Sequence, residues 1–250
     1  MVFYAFLLGA FLSQRVNLFQ QEVADFTAEY RVPSPVPQAG SSKKNFIHVY
    51  LESTERTYMR SELFGDVMDP LKPFIERGFE ATNLVQVRDT GWSLAGMTAS
   101  KCGVPLSPAG FSYKNKFGSL SGFLPSAVCL GDVLLEEDYN LTFLVGAFTR
   151  FGGLDTLYST HGFSQVLDLD HFLKKHQGTD KLEHHKQAWG VSDELVFEEA
   201  LEVLKQKVRA GKKFGLTIET IGGHAPIGLL SPVCENMEQI MQQRVTMLSA

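Results

Sequence analysis

Short apolar runs and longer amphipathic stretches alternate along the chain. Asn45–Leu51 (NFIHVYL) is apolar and β-branched and ends at Glu52–Ser53. This predicts a buried strand whose C-terminal end carries polar side chains. Glu80–Gln86, Asn140–Ala147 and Lys213–Thr220 read as further strands. Pro70–Arg77 predicts a short helix. Trp92–Lys101, rich in small residues and opened by Gly91, predicts another, as does Cys129–Glu137. Asp193–Ala210 is a long amphipathic helix, with Leu195, Val196, Ala200, Val203, Leu204 and Val208 on one face. Strands alternating with helices predict an α/β fold with a largely parallel sheet. In such sheets ligands sit beyond the C-terminal strand ends. Those ends offer Glu52–Ser53, Asp89–Thr90, Arg150 and Glu219–His224.

The chain ends follow different rules. Val2–Ser13 carries almost no polarity but is shorter than the ~20 apolar residues of a full span. It also lacks the basic start and small-residue end of a secretory signal. Residues 1–14 are read as part of a membrane helix or an uncleaved anchor, with a buried core helix as the alternative. Arg15–Tyr30 has the pattern of an amphipathic helix, and Arg31–Lys44, with Pro33, Pro35, Pro37 and Gly40, that of a linker. Residues 45–250 form the expected folded domain. The last stretch, CENMEQIMQQRVTMLSA, is helix-like without a stop signal, so the fold is expected to continue beyond Ala250.

The 250 residues are 44% hydrophobic and 20% charged, which excludes wholesale disorder. A net charge of −5 speaks against a nucleic-acid partner. No fixed-period repeat is visible, which excludes solenoids and propellers. None of the 3 cysteines, Cys102, Cys129 and Cys234, has zinc-ligand spacing. In an exported domain two of them would pair, and Cys102 with Cys129 is the pairing expected here. In a cytosolic chain all would remain buried thiols.

Four residues are candidates for chemistry. Glu52, after a buried strand, is either a metal ligand or a surface acid opening a helix. Ser93, near a helix N-terminus, is either a nucleophile facing the positive dipole end or an ordinary N-cap, with Thr90 and Thr98 as competing hydroxyls. His224 follows two glycines and is suited to hold a phosphate or move a proton, or is simply solvated. Arg150 would pair with an anionic substrate or lie on the surface. His161 and His184–His185 lack ligand spacing and are read as structural.

Five segments carry a family resemblance, in order: NFIHVYLESTERTYM from Asn45, TGWSLAGMTASKCGVPL from Thr90, CLGDVL from Cys129, RFGGLDTLYSTHGF from Arg150 and WGVSDELVF from Trp189. Together they resemble the periplasmic phosphoglycerol transferases of osmoregulated periplasmic glucan synthesis. These are relatives of the lipoteichoic acid synthases in the alkaline phosphatase/sulfatase superfamily. The resemblance implies an α/β/α sandwich with a mostly parallel sheet, incomplete here at its C-terminus. It implies a bacterial inner-membrane protein whose catalytic domain faces the periplasm. Phosphoglycerol would pass from phosphatidylglycerol to a glucan through a covalent phospho-enzyme at a divalent metal, manganese above all. Sister activities on this scaffold are phosphoethanolamine transfer, phosphodiester hydrolysis and sulfuric ester hydrolysis. A non-catalytic truncated remnant is the other alternative. Ser93 followed by Leu-Ala-Gly speaks against the formylglycine context of sulfatases.

Carried over by motif, Glu52 is the first metal carboxylate and Ser93 the nucleophile and a metal ligand, where the family usually shows Thr. His224 and Arg150 are substrate-binding residues. The family completes its metal site with a downstream Asp-His pair, for which Asp170–His171 comes too early. The chain is therefore expected to hold only part of the metal site.

Overall fold

A strand can be buried on both faces only if helices cover both sides of its sheet, and two segments here meet that condition. β2 (Asn140–Val145) is buried from Leu141 onward, and β6 (Phe214–Glu219) is buried throughout. Their near-continuous apolar character is that of central parallel strands. The computed structural model describes residues 30–33, 44–86, 90–106, 117–224, 228–229 and 231–232. The chain divides into two units, Met1–Val32 and Pro33–Ala250, and every element below belongs to the second. Residues 1–14, most of 15–44, Asp89 and the helix-like chain end lie outside the described residues.

Among the described residues, the main sheet has 4 strands in the order β1-β6-β2-β3, with β1 spanning Phe46–Tyr50 and β3 Phe163–Leu167. All its pairings are parallel. Tyr50 of β1 and Val145 of β2 both stand opposite Glu219 of β6, so three strand ends share one rim. A short antiparallel hairpin, β4 (Lys186–Gln187) and β5 (Gly190–Val191), stands apart. The helices are α1 (Ser61–Phe64), α2 (Lys72–Arg77), α3 (Ser93–Cys102), α4 (Leu130–Glu136), α5 (Leu154–Thr160), α6 (Leu169–Lys175), α7 (Asp180–His185) and α8 (Asp193–Ala210).

Side chains alternate across the sheet, so each strand feeds two cores. Leu141, Phe143 and Val145 pack with Leu94 and Met97 of α3 and with Leu157 and Tyr158 of α5. Leu144, Leu216 and Ile218 pack with Phe172 of α6, Leu182 of α7 and Leu195, Val196, Ala200 and Val203 of α8. The result is the parallel α/β fold that the alternation predicts, in the α/β/α sandwich form that the resemblance implies. Gly215 lies where any Cβ would come within 2.2 Å of the Phe46 ring and 2.7 Å of Leu141, which is why a glycine interrupts the apolar run.

Polar contacts fix α3 on the sheet. Lys101 Nζ donates to His48 Nδ1 (2.8 Å) and to Thr217 Oγ1 (3.3 Å), and the Tyr50 and Ser100 hydroxyls lie 2.6 Å apart. A disulfide joins Cys102, at the end of α3, to Cys129, the N-cap of α4. His161 is structural: Nδ1 meets Asp132 Oδ2 at 2.7 Å and Nε2 meets the Phe123 carbonyl at 2.8 Å.

Residues 80–86 do not form the strand expected of them. They join no sheet, and Leu84 and Val85 are exposed. Their β-like composition has no adjacent edge to pair with, and a lone extended segment has no ladder to stabilise it.

Candidate active site at the strand-end rim

Two chain segments bring the central pair together. After β1 the chain turns at Ser53, which adopts a positive φ of 54°, and the Glu52 amide donates to Thr220 Oγ1 (2.9 Å) beyond β6. Ser93 is the first residue of α3, and the N-cap is Trp92, which makes no side-chain capping bond. The Ser93 hydroxyl is thus not used as a cap. It donates instead to Glu52 Oε2 at 3.0 Å. Ser53 donates to the other carboxylate oxygen, Oε1, at 3.2 Å. The competing hydroxyls lie elsewhere: Thr98 is buried and donates to the Leu94 carbonyl, and Thr90 is buried as well.

Ser93, Glu52, Glu219 and His224 line one pocket of about 420 Å³. Its other walls include Trp92, Phe148, Phe151 and Trp189. Glu219 is the member that sequence reasoning left as a generic strand-end acid. It is 4% exposed, and its Oε2 has no hydrogen-bond partner. Burial above all, and then the Glu52 charge, push its carboxyl up to about 8, against a smaller opposing effect of its hydrogen bond with Ser93. The signal that could have found it is register: a Glu ending a central strand directly beside the strand that leads to Glu52.

His224 stands on a loop that α8 holds in place. Asp193 accepts from the amides of Ile221 (2.7 Å) and Gly222 (2.9 Å). The His224 ring packs on Trp189, from the tip of the β4–β5 hairpin, with centroids 4.5 Å apart. The glycines before it serve the chain's own packing. A Cβ on Gly223 would lie 2.6 Å from the Glu52 carbonyl oxygen, and one on Gly222 2.7 Å from Asp193 Oδ2.

Arg150 is not brought into this group. Its side chain is 69% exposed and pairs with Asp170 at 2.5 Å, while its neighbours Phe151 and Gly152 reach the pocket wall. His171 bonds Oε1 of the buried Glu199 at 2.9 Å, so the Asp170–His171 pair is used in contacts away from the pocket.

The geometry is that of a half-buried alcohol beside two carboxylates, in a pocket with apolar walls that a histidine also lines. Known proteins carry a similar sequence. The family profile described as Sulfatase matches residues 44–246. Phosphoglycerol transferase I of Xanthomonas campestris pv. campestris (strain B100) is 36% identical over 215 residues, covering 86% of this chain and 30% of that protein. Phosphoglycerol transferase I of Escherichia coli O6:K15:H31 (strain 536 / UPEC) is 36% identical over 217 residues, covering 84% of this chain and 26% of that protein. The chain thus spans less than a third of the length of these relatives. Among solved structures, a Vibrio parahaemolyticus protein of the alkaline phosphatase superfamily aligns with a TM-score of 0.57 at 22% identity, over 74% of this chain and 42% of that one. The lipoteichoic acid synthase LtaP of Listeria monocytogenes aligns at 0.55 and 18%, over 77% and 46%. These two share the fold, and with the profile covering most of its length, the chain belongs to the sulfatase family.

Proposed function

We propose that this chain carries the nucleophile side of a phosphoglycerol transferase site. Ser93 takes the phosphoglycerol headgroup from phosphatidylglycerol and hands it to a hydroxyl of a periplasmic glucan. The observation that carries this reading is the 3.0 Å bond from the Ser93 hydroxyl to Glu52 Oε2, inside a pocket wide enough for a headgroup. The names of the relatives supply the transferred group and the reaction class, and the family resemblance supplies the donor.

A divalent cation, manganese by family resemblance, suits the residues present. Glu52 and the Ser93 hydroxyl are hard oxygen donors. The partnerless buried oxygen of Glu219 beside them is a further oxygen acceptor in the same pocket. When bound, such an ion polarises the phosphate and favours the alkoxide of the nucleophile.

The chain's own residues account for the rest. As Ser93 Oγ bonds to phosphorus, its proton has Glu52 Oε2 as first acceptor. The P–O bond to diacylglycerol breaks, and the leaving alkoxide takes up the proton that Ser93 gave to Glu52. The acceptor hydroxyl then attacks the same phosphorus and breaks its bond to Ser93 Oγ, and its proton passes by way of Glu52 to the released Ser93. His224 donates to a phosphate oxygen and is oriented for this by Trp189. Phe148, Phe151 and Trp189 limit water at the phospho-enzyme, which favours transfer over hydrolysis. Arg150 is the outer anion contact beside Phe151.

We place the domain on the periplasmic side of the inner membrane. The Cys102–Cys129 disulfide fits an oxidising compartment. No helix among the described residues is long and apolar enough to cross a membrane. The test is to incubate the protein with manganese and phosphatidylglycerol labelled in the headgroup, quench with acid and map the label. A phosphoglycerol adduct on Ser93, absent in Ser93→Ala, is expected. Turnover with no label on Ser93 overturns the reading.

A further inference from the structure

Glu219 occupies a place where an acid is poorly tolerated. It ends a central strand, with Tyr50 and Val145 opposite it on either side, and is almost wholly buried. An ionised carboxylate there is strongly unfavourable unless a positive group meets it. No Lys or Arg lines the pocket among the described residues. The buried cation on the same face of the sheet, Lys101, is engaged with His48 and Thr217. Protonation does not satisfy the group either, because a proton on the oxygen facing Ser93 leaves Oε2 a buried acceptor without a donor. An apolar side chain would serve packing better at this position. The acid is therefore explained by a ligand that enters the pocket.

We propose that Glu219 is a second carboxylate ligand of the divalent cation, its Oε2 completing with Glu52 and the Ser93 hydroxyl an all-oxygen face. This rests on the cation site proposed above and extends it to a residue that the family motifs do not mark. Three facts converge on it. Oε2 is a buried acceptor without a partner. Glu219 lines the same pocket as Glu52 and Ser93. Ser93 Oγ gives its proton to Glu52 Oε2 and also lies in hydrogen-bond reach of Glu219, so both carboxylates meet at one alcohol. Two carboxylates and a hydroxyl are hard oxygen donors, a set that suits manganese or magnesium.

The test is a manganese titration of the full chain, following the free ion by electron paramagnetic resonance, for wild type, Glu52→Gln and Glu219→Gln. Circular dichroism confirms that each is folded. Glu219→Gln is expected to weaken manganese about tenfold or more, since ligand charge count sets affinity in such sites. Wild-type affinity in Glu219→Gln with a weakened Glu52→Gln overturns the inference and leaves the cation site standing. Unchanged affinity in both variants overturns both. Should Glu219→Gln not fold, the wild-type complex made with carboxyl-13C glutamate decides by electron-nuclear double resonance. Two coupled carboxyl carbons support the inference, and one overturns it.

Discussion

The Ser93 hydroxyl, on the first residue of α3, donates to Glu52 Oε2 across 3.0 Å although the two residues are 41 positions apart in sequence. One comes from the end of a sheet-edge strand and the other from a helix N-terminus. Only the packing of α3 on β1 and β6 brings them together. The alcohol is therefore held against a proton acceptor at the start of a helix, an end whose free amides favour an anion. Ser93→Ala is expected to lower headgroup transfer by about 10³-fold or more, as loss of a nucleophile does elsewhere. Ser93→Thr keeps the hydroxyl and is expected to retain transfer. Release of labelled headgroup from phosphatidylglycerol measures both. A fully active Ser93→Ala would remove the residue from its proposed role.

The contact that seats α3 also sets a pH dependence. Burial first, and the Lys101 ammonium second, lower the His48 imidazole from 6.5 to about 4. Its Nδ1 accepts from Lys101, and a proton there would place two cations 2.8 Å apart. Between these two pH values the unfolded chain binds a proton that the folded chain refuses. The His48 contribution to stability is thus complete above about pH 6.5 and lost as pH falls toward 4. His176 and His185 are lowered too and slope the same way. The informative quantity is therefore the difference between variants. His48→Gln keeps an acceptor for Lys101 without titrating, and its melting temperature should fall less than that of wild type between pH 6.5 and 4 in thermal unfolding followed by circular dichroism. Parallel curves would exclude His48 as a source of acid sensitivity.

Local pattern made most of this frame legible. The Asp193–Ala210 helix has the limits its apolar periodicity predicts, and the strands expected at Asn45–Leu51, Asn140–Ala147 and Lys213–Thr220 differ from those observed by only one or two residues at their ends. These segments are strongly patterned because each is buried on a defined face. Two elements were not legible for the opposite reason. β3 (FSQVL) is an edge strand with its middle exposed, so its pattern is weak. Residues 80–86 have strand composition but no partner. At the rim, motif and strand-end position marked Ser93 and Glu52 as candidates. Glu219 was not singled out, because what distinguishes it is the register between β1, β6 and β2, which no local window contains. Trp189 was part of a recognisable motif, but its place over His224 depends on the β4–β5 hairpin.

Asp193 links the long helix to the pocket. Its carboxylate receives the Ile221 and Gly222 amides at 2.7 and 2.9 Å and so fixes the loop that carries His224. Burial raises its carboxyl above the ordinary range, and the two amide bonds act against that rise. Asp193→Ala leaves both amides without an acceptor and is expected to cost about 1.5–3 kcal/mol, the range for hydrogen bonds to charged groups. Urea unfolding measures this. Asp193→Asn keeps one acceptor oxygen and should cost less. If His224 binds the substrate phosphate, Asp193→Ala should also raise KM for the lipid, because the histidine loses its fixed position. A destabilised variant with unchanged KM would separate the loop's structural role from substrate binding.

The Cys102–Cys129 disulfide ties the far end of α3 to the start of α4, with a sequence separation of 27. Closing a loop of that size restricts the unfolded chain by about 3–4 kcal/mol in the chain-entropy account. The bond also anchors the helix whose other end presents Ser93. Lys101, one residue before the bond, makes the polar contacts to β1 and β6 described above. The double substitution Cys102→Ser, Cys129→Ser should therefore lower unfolding free energy by about that amount, read from urea midpoints at constant slope. Treating wild type with a thiol reductant should give the same shift, and reductant should have no further effect on the double variant. Equal midpoints for all four samples would mean that α3 is held by its side-chain packing and by the Lys101 contacts alone.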